Sequence, residues 1–156
     1  MVLSLIPPGT IAALQAAGLS RSQIDSLDGV QQLVYLLDAA GAGFGYRFKW
    51  EMYGPFSTDL AEELGGLGSE EIARLSEEPV SEALVGPVER VKALLEPQTE
   101  GLDRKQWRRL LCYVDFLQRR AHPAMLNGRM PMLLSKNFTA EQINAAKEAL
   151  TALSNA

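Results

Sequence analysis

Cysteine and histidine are almost missing from this chain of 156 residues, with Cys112 and His122 the single representatives of each. One cysteine forms no internal disulfide, and such usage fits a reducing compartment, so the cytoplasm is the expected location. One thiol and one imidazole fall short of the roughly four N, S or O ligands of a structural zinc site. They also leave little for nucleophilic catalysis, which needs a nucleophile beside a base. Cys112 follows Leu111 in an apolar helix and reads as a buried structural thiol, while His122, before Pro123, reads as a helix-end residue. Long apolar runs are missing too: nothing approaches the ~18 residues of a membrane span, so no membrane partner is expected. Met1 to Thr10 lacks a basic segment followed by an apolar one, so no signal peptide is expected. No phosphate-binding loop, dinucleotide fingerprint or nucleophile elbow occurs. The expectation is a chain without catalytic residues, cofactor or metal site.

What is present is ordinary globular material. Apolar residues make up 47% and charged residues 22%, with a net charge of −4, too much hydrophobicity for a disordered chain. The length favours a single domain over residues 1–156, enough to hide roughly 70% of its unfolded surface. The acidic balance argues against binding nucleic acid by bulk charge, leaving local basic patches to be weighed separately.

The patterning predicts a mainly α fold with a small β component (α+β), a multi-helix domain with one clear strand. Thr10 is read as the cap of a helix to about Ala17, closed by Gly18. Ser20–Gln23 has capping-box spacing and opens a short second helix; Asp28–Gln31 repeats it before a third, over about 29–40. There Val30, Leu33, Val34 and Leu37 share one face, and Gly41 ends the helix. From Phe44 to Met52, aromatic and apolar residues alternate with Gly45, Arg47, Lys49 and Glu51, the period of a strand spanning about 44–53. Its partner is left open between residues 2–6, residues 130–134 and a second copy of the chain, a homodimer.

Tyr53–Ser57 is read as a tight turn, and Ser57 as the cap of a helix to about Leu64. Ser69 reopens a helix to Ser76, and Pro79 starts a stretch to Leu95 that Gly86-Pro87 divides. The longest helix, 102–120, has Asp103 and Gln106 at capping-box positions and a stripe of Trp107, Leu110, Leu111, Val114 and Leu117. Residues 121–138 read as a connection. Thr139 and Gln142 cap the last helix, with Phe138 and Ile143 at staple positions.

Two segments resemble a known group. Val30-Gln31-Gln32-Leu33-Val34-Tyr35-Leu36-Leu37 is followed some twenty residues on by Tyr53-Gly54-Pro55-Phe56-Ser57. The pair is similar to small bacterial and phage-associated proteins with an L-Q-K-L-x-Y-L-L helix, an aromatic strand and a Y-G-P-[YFV]-S turn. More distantly it resembles the Panacea-type antitoxin domain. Gln32 stands where that pattern has lysine, and Val30 where it has leucine. The resemblance implies a helical domain with a small sheet and, on the antitoxin branch, a toxin partner held and neutralised.

Two surfaces follow as candidates. For a protein partner they are Arg47, Lys49 and Glu51 on the strand with Tyr53 and Phe56 at the turn, where exposed aromatics would act as anchors. For nucleic acid, the alternative, Gln31 and Gln32 are the base-reading candidates, and Arg104, Lys105, Arg108 and Arg109 the phosphate contacts. The acidic pairs Glu62-Glu63, Glu70-Glu71 and Glu77-Glu78 read as solvated surface.

Overall fold

Residues 9–19, 27–51, 54–119, 134 and 136–154 are described by the computed structural model. They fall into two units by contact, Met1–Lys92 and Ala93–Ala156, with the division inside the last turn of a helix. The architecture is α+β: seven helices and one two-stranded antiparallel sheet among the described residues.

The first unit is built around one helix. Thr10–Ala16 (α1) is followed by Leu27–Ala39 (α2). The short helix expected from Ser20 falls outside the described residues. Gly9 rather than Thr10 is the cap of α1, and Thr10 is a buried first-turn residue. The start of α2 at Leu27 places Asp28 inside the first turn rather than at its cap. Both helices close in the same way. Leu19 N–H donates to Leu14 C=O and Gly18 N–H to Gln15 C=O; Ala42 and Gly41 repeat the pattern on Leu37 and Asp38. The φ of 116° at Gly18 and 105° at Gly41 is the left-handed turn this motif requires and glycine supplies cheaply.

The sequence suggests one buried face for α2, but residues 29–37 are all buried. A helix covered on every side is the centre of its unit rather than a wall of it. It packs against α1, against the sheet and against the helix after the sheet.

The strand is shorter than its alternation predicts. Pairing is confined to Lys49–Glu51 (β1) and Gly54–Phe56 (β2), in the register Lys49↔Phe56, Trp50↔Pro55, Glu51↔Gly54. The partner of β1 is therefore Gly54–Phe56, within the segment read as a turn. Residues 42–48 carry no strand pairing. Gly43 and Gly45 sit at φ 67° and 82°, far from strand geometry, so the backbone leaves the sheet there. The side-chain alternation survives this: Phe44, Tyr46, Phe48 and Trp50 are half-buried, and Gly45, Arg47 and Lys49 exposed.

Ser57 caps Thr58–Gly65 (α3) through its hydroxyl, which accepts from Leu60 N–H at 3.3 Å. Ser69–Ser76 (α4) packs on α1. Glu82–Leu94 (α5) runs through Pro87 without a break, contrary to the expected division at Gly86-Pro87. Pro87 removes one N–H donor, the bond to Ala83, and Gly86 before it has no Cβ to crowd the ring. Arg90, on the next turn, donates to Ala40 C=O at 2.6 Å and so satisfies a carbonyl at the end of α2.

The second unit contains Arg104–Arg119 (α6) and Ala140–Ser154 (α7), which pack together. Both begin with the expected capping box. Asp103 and Gln106 exchange bonds of 2.9 and 2.8 Å, and Thr139 and Gln142 bonds of 2.9 and 3.1 Å. The stripe Trp107, Leu110, Leu111, Val114 and Leu117 is buried, facing a core that includes Ala146, Ala149, Leu150 and Leu153. Trp107 is fully enclosed, and its indole N–H donates to Leu94 C=O at 2.7 Å. Phe138 and Ile143 are half-buried, and the Phe138 ring meets Tyr113 edge-on at 6.4 Å.

Candidate functional site

The helix and turn motifs, 26 residues apart in sequence, meet through one side chain. Gln31 is only 2% exposed, and its amide faces the main chain of Ser57. Gln31 Nε2 donates to Ser57 C=O at 2.9 Å, and Ser57 N–H donates to Gln31 Oε1 at 2.8 Å. The primary amide thus does for Ser57 what a neighbouring strand would do. It satisfies two buried backbone groups that would otherwise cost about 1–3 kcal/mol each.

Three further contacts pin the segment before the sheet. Phe44 N–H donates to Asp38 Oδ1 at 3.2 Å, at the end of α2. The Phe48 ring stands edge-on to Tyr35 of α2, centroids 5.1 Å apart and planes at 88°. The Tyr46 hydroxyl donates to Glu63 Oε2 on α3. Burial and the Glu63 carboxylate both push the Tyr46 phenol up, keeping it a proton donor across the physiological range. Residues 44, 46, 48 and 57 are each tied to a helix, and Gly45, Arg47 and Lys49 between them are exposed.

This arrangement opens a cleft of about 350 Å³ lined by Phe44, Gly45, Tyr46, Asp59, Glu62 and Glu63. The two rings on one side have centroids 6.0 Å apart and are tilted by 43°. The other side is acidic, because positions 59, 62 and 63 fall on one face of α3. Glu62, read from the sequence as solvated surface, is exposed and Glu63 half-buried; their grouping with Asp59 beside Phe44 and Tyr46 is what the sequence reading did not contain. A signal was present: from Lys49 to Arg74 no lysine or arginine intervenes, while Glu51, Asp59, Glu62, Glu63, Glu70 and Glu71 do.

The expected partner-binding residues divide. Arg47 and Lys49 are exposed beside the cleft-lining segment, and Phe56 is half-buried in β2. The Glu51 side chain and Tyr53 lie outside the described residues. The nucleic-acid candidates fall on different units. Gln31 and Gln32, the latter 5% exposed, are inside the first unit and present no edge to a base. The basic group lies on the second unit, at the start of α6, with Arg104 and Lys105 exposed and Arg108 and Arg109 half-buried. Arg104 pairs with Glu96 at 3.3 Å in solvent, and Arg119 forks the buried Asp115 carboxylate at 2.8 and 3.2 Å.

Cys112 is fully buried, and that burial pushes its thiol well above the ordinary range; nearby Arg108 lowers it and Asp115 raises it. A thiol held protonated in apolar surroundings is inert. His122 lies outside the described residues. Among the described residues no helix is long and apolar enough to cross a membrane, and no three His, Cys, Asp or Glu side chains are grouped closely enough to hold a metal ion. No protein-family model matches the chain, and neither a curated protein nor a solved structure resembles it significantly.

Proposed function

We propose that this chain is a non-catalytic protein-binding accessory module of the cytoplasm, of antitoxin, adaptor or defence-system type. The observation that carries the reading is the pinning of residues 44–57. A surface segment fixed at four points to two helices is pre-organised, so little conformational entropy is lost when a partner docks on it. Arg47 and Lys49 project from that segment, with Phe56 at its end. The likeness to the Panacea-type domain, carried by the Gln31 and Ser57 segments, supports the same reading and suggests a toxin as the partner. The test is affinity co-purification from the native host, with and without nuclease. A stoichiometric protein that survives nuclease and is lost on alanine substitution across Arg47, Lys49, Glu51, Tyr53 and Phe56 is the expected result. Retention of every partner by that variant would refute the surface.

The alternative, a nucleic-acid-binding regulator, is favoured by one observation: Arg104 and Lys105 stand exposed in the first turn of α6, where cations oppose the helix dipole. Retention on heparin that collapses with added salt and with Arg104→Ala/Lys105→Ala is its signature.

A further inference from the structure

We propose that the cleft between residues 44–46 and α3 receives the guanidinium of an arginine side chain presented by a protein partner, an inference that rests on the protein-binding reading above. Four observations converge on this chemistry. Asp59, Glu62 and Glu63 line one wall, and no lysine or arginine among the described residues, Arg47 included, pairs with any of them. Carboxylates left without a counter-ion repel an anionic ligand and suit a cationic one. Phe44 and Tyr46 line the same cleft, and aromatic rings attract a cation within about 6 Å of their centroids. The three carboxylates do not converge as a metal-holding set. An organic cation, able to meet both carboxylates and aromatic rings, is the occupant this lining suits.

Size and shape narrow it further. At about 350 Å³ the cleft lies at the small end of the roughly 300–1,000 Å³ range of ligand sites, room for one side chain. Guanidinium is planar, stacks on aromatic faces and forks carboxylates, whereas ammonium is a strongly hydrated point charge. The Tyr46 hydroxyl already donates to Glu63 and fixes that carboxylate, leaving Asp59 and Glu62 to meet the ligand.

The experiment uses the full chain and two probes of equal shape, N-acetyl-arginine amide and N-acetyl-citrulline amide, followed by amide chemical shifts. The arginine probe is expected to shift Phe44, Gly45, Tyr46, Asp59, Glu62 and Glu63, less so as salt rises, and the neutral citrulline probe to leave them in place. Asp59→Asn/Glu62→Gln, checked for an unchanged thermal midpoint, is expected to weaken the arginine probe about tenfold. Equal response to both probes, shifts centred elsewhere, or an unaffected double variant would overturn the proposal. Co-purification separates it from the reading it rests on. A protein partner held undiminished by the double variant overturns the cleft alone, and an arginine response confined to the cleft in a chain that captures no protein overturns the adaptor reading alone.

Discussion

Trp107 and Gln31 are both buried helix residues whose polar ends bond the main chain, yet they stabilise their units differently. Trp107 satisfies a single carbonyl, that of Leu94, 13 residues back, and most of its contribution is ring area removed from water. Gln31 removes little apolar area. It satisfies both backbone groups of Ser57, 26 residues on, and so ties the chain after β2 to α2. One residue fills a core between regular helices; the other joins irregular chain to a helix. The backbone at Ser57 therefore depends on these two hydrogen bonds, and their loss should be selective where loss of Trp107 is global.

The sharpest break in the comparison is Trp107→Ala. Removing a fully enclosed ring and orphaning the Leu94 carbonyl is expected to cost about 3–5 kcal/mol in urea denaturation. Gln31→Leu keeps the volume but strands the N–H and C=O of Ser57, and is expected to cost about 2–4 kcal/mol. Gln31→Glu retains the acceptor and loses the donor, so it should fall below wild type as well. Equal denaturation curves for Gln31→Leu and wild type would remove the distinction drawn between the two residues.

The legibility of the chain follows the same division. Both helix starts of the second unit were readable because a capping box and a 3.6-residue stripe are local patterns, complete within a few residues of Asp103 or Thr139. The first unit resisted where its structure is non-local. Gln31 and Gln32 look like polar surface in sequence, and only the approach of Ser57 makes a buried glutamine sensible. The alternation foretold which side chains from Phe44 to Trp50 are half-buried and which exposed. It could not reveal that Gly43 and Gly45 take the backbone out of strand geometry, or that Gly54–Phe56 would pair with Lys49–Glu51. Pro87 looked like a break because a local rule forbids it in mid-helix, yet the helix carries one missing bond. The acidic wall of the cleft was visible as a charge bias, but the aromatic wall that gives it meaning lies on a different element.

Smaller effects sharpen the picture of the second unit. Burial holds the Cys112 thiol protonated in the folded state, whereas the unfolded thiol ionises near its usual ~8.5. The unfolded chain therefore binds fewer protons above that value, and stability falls as pH rises through it. Between pH 7.5 and 9.5 the loss is expected to be about 1.4 kcal/mol, absent in Cys112→Ala. Alkylation by iodoacetamide should track global unfolding; rapid labelling of the native chain would show the thiol to be accessible. Smallest of all, Gln106→Ala opens the exposed capping box of α6 and is expected to cost about 0.5–1 kcal/mol, well short of Gln31→Leu.

The most direct test of the account is amide hydrogen exchange at Ser57 in the wild type and in Gln31→Leu. If Gln31 anchors the chain at Ser57, the Ser57 amide is protected in the wild type nearly as well as the core of α2, and in the variant it exchanges faster by orders of magnitude while α2 itself remains protected. Equal protection of Ser57 in the two proteins would contradict the account.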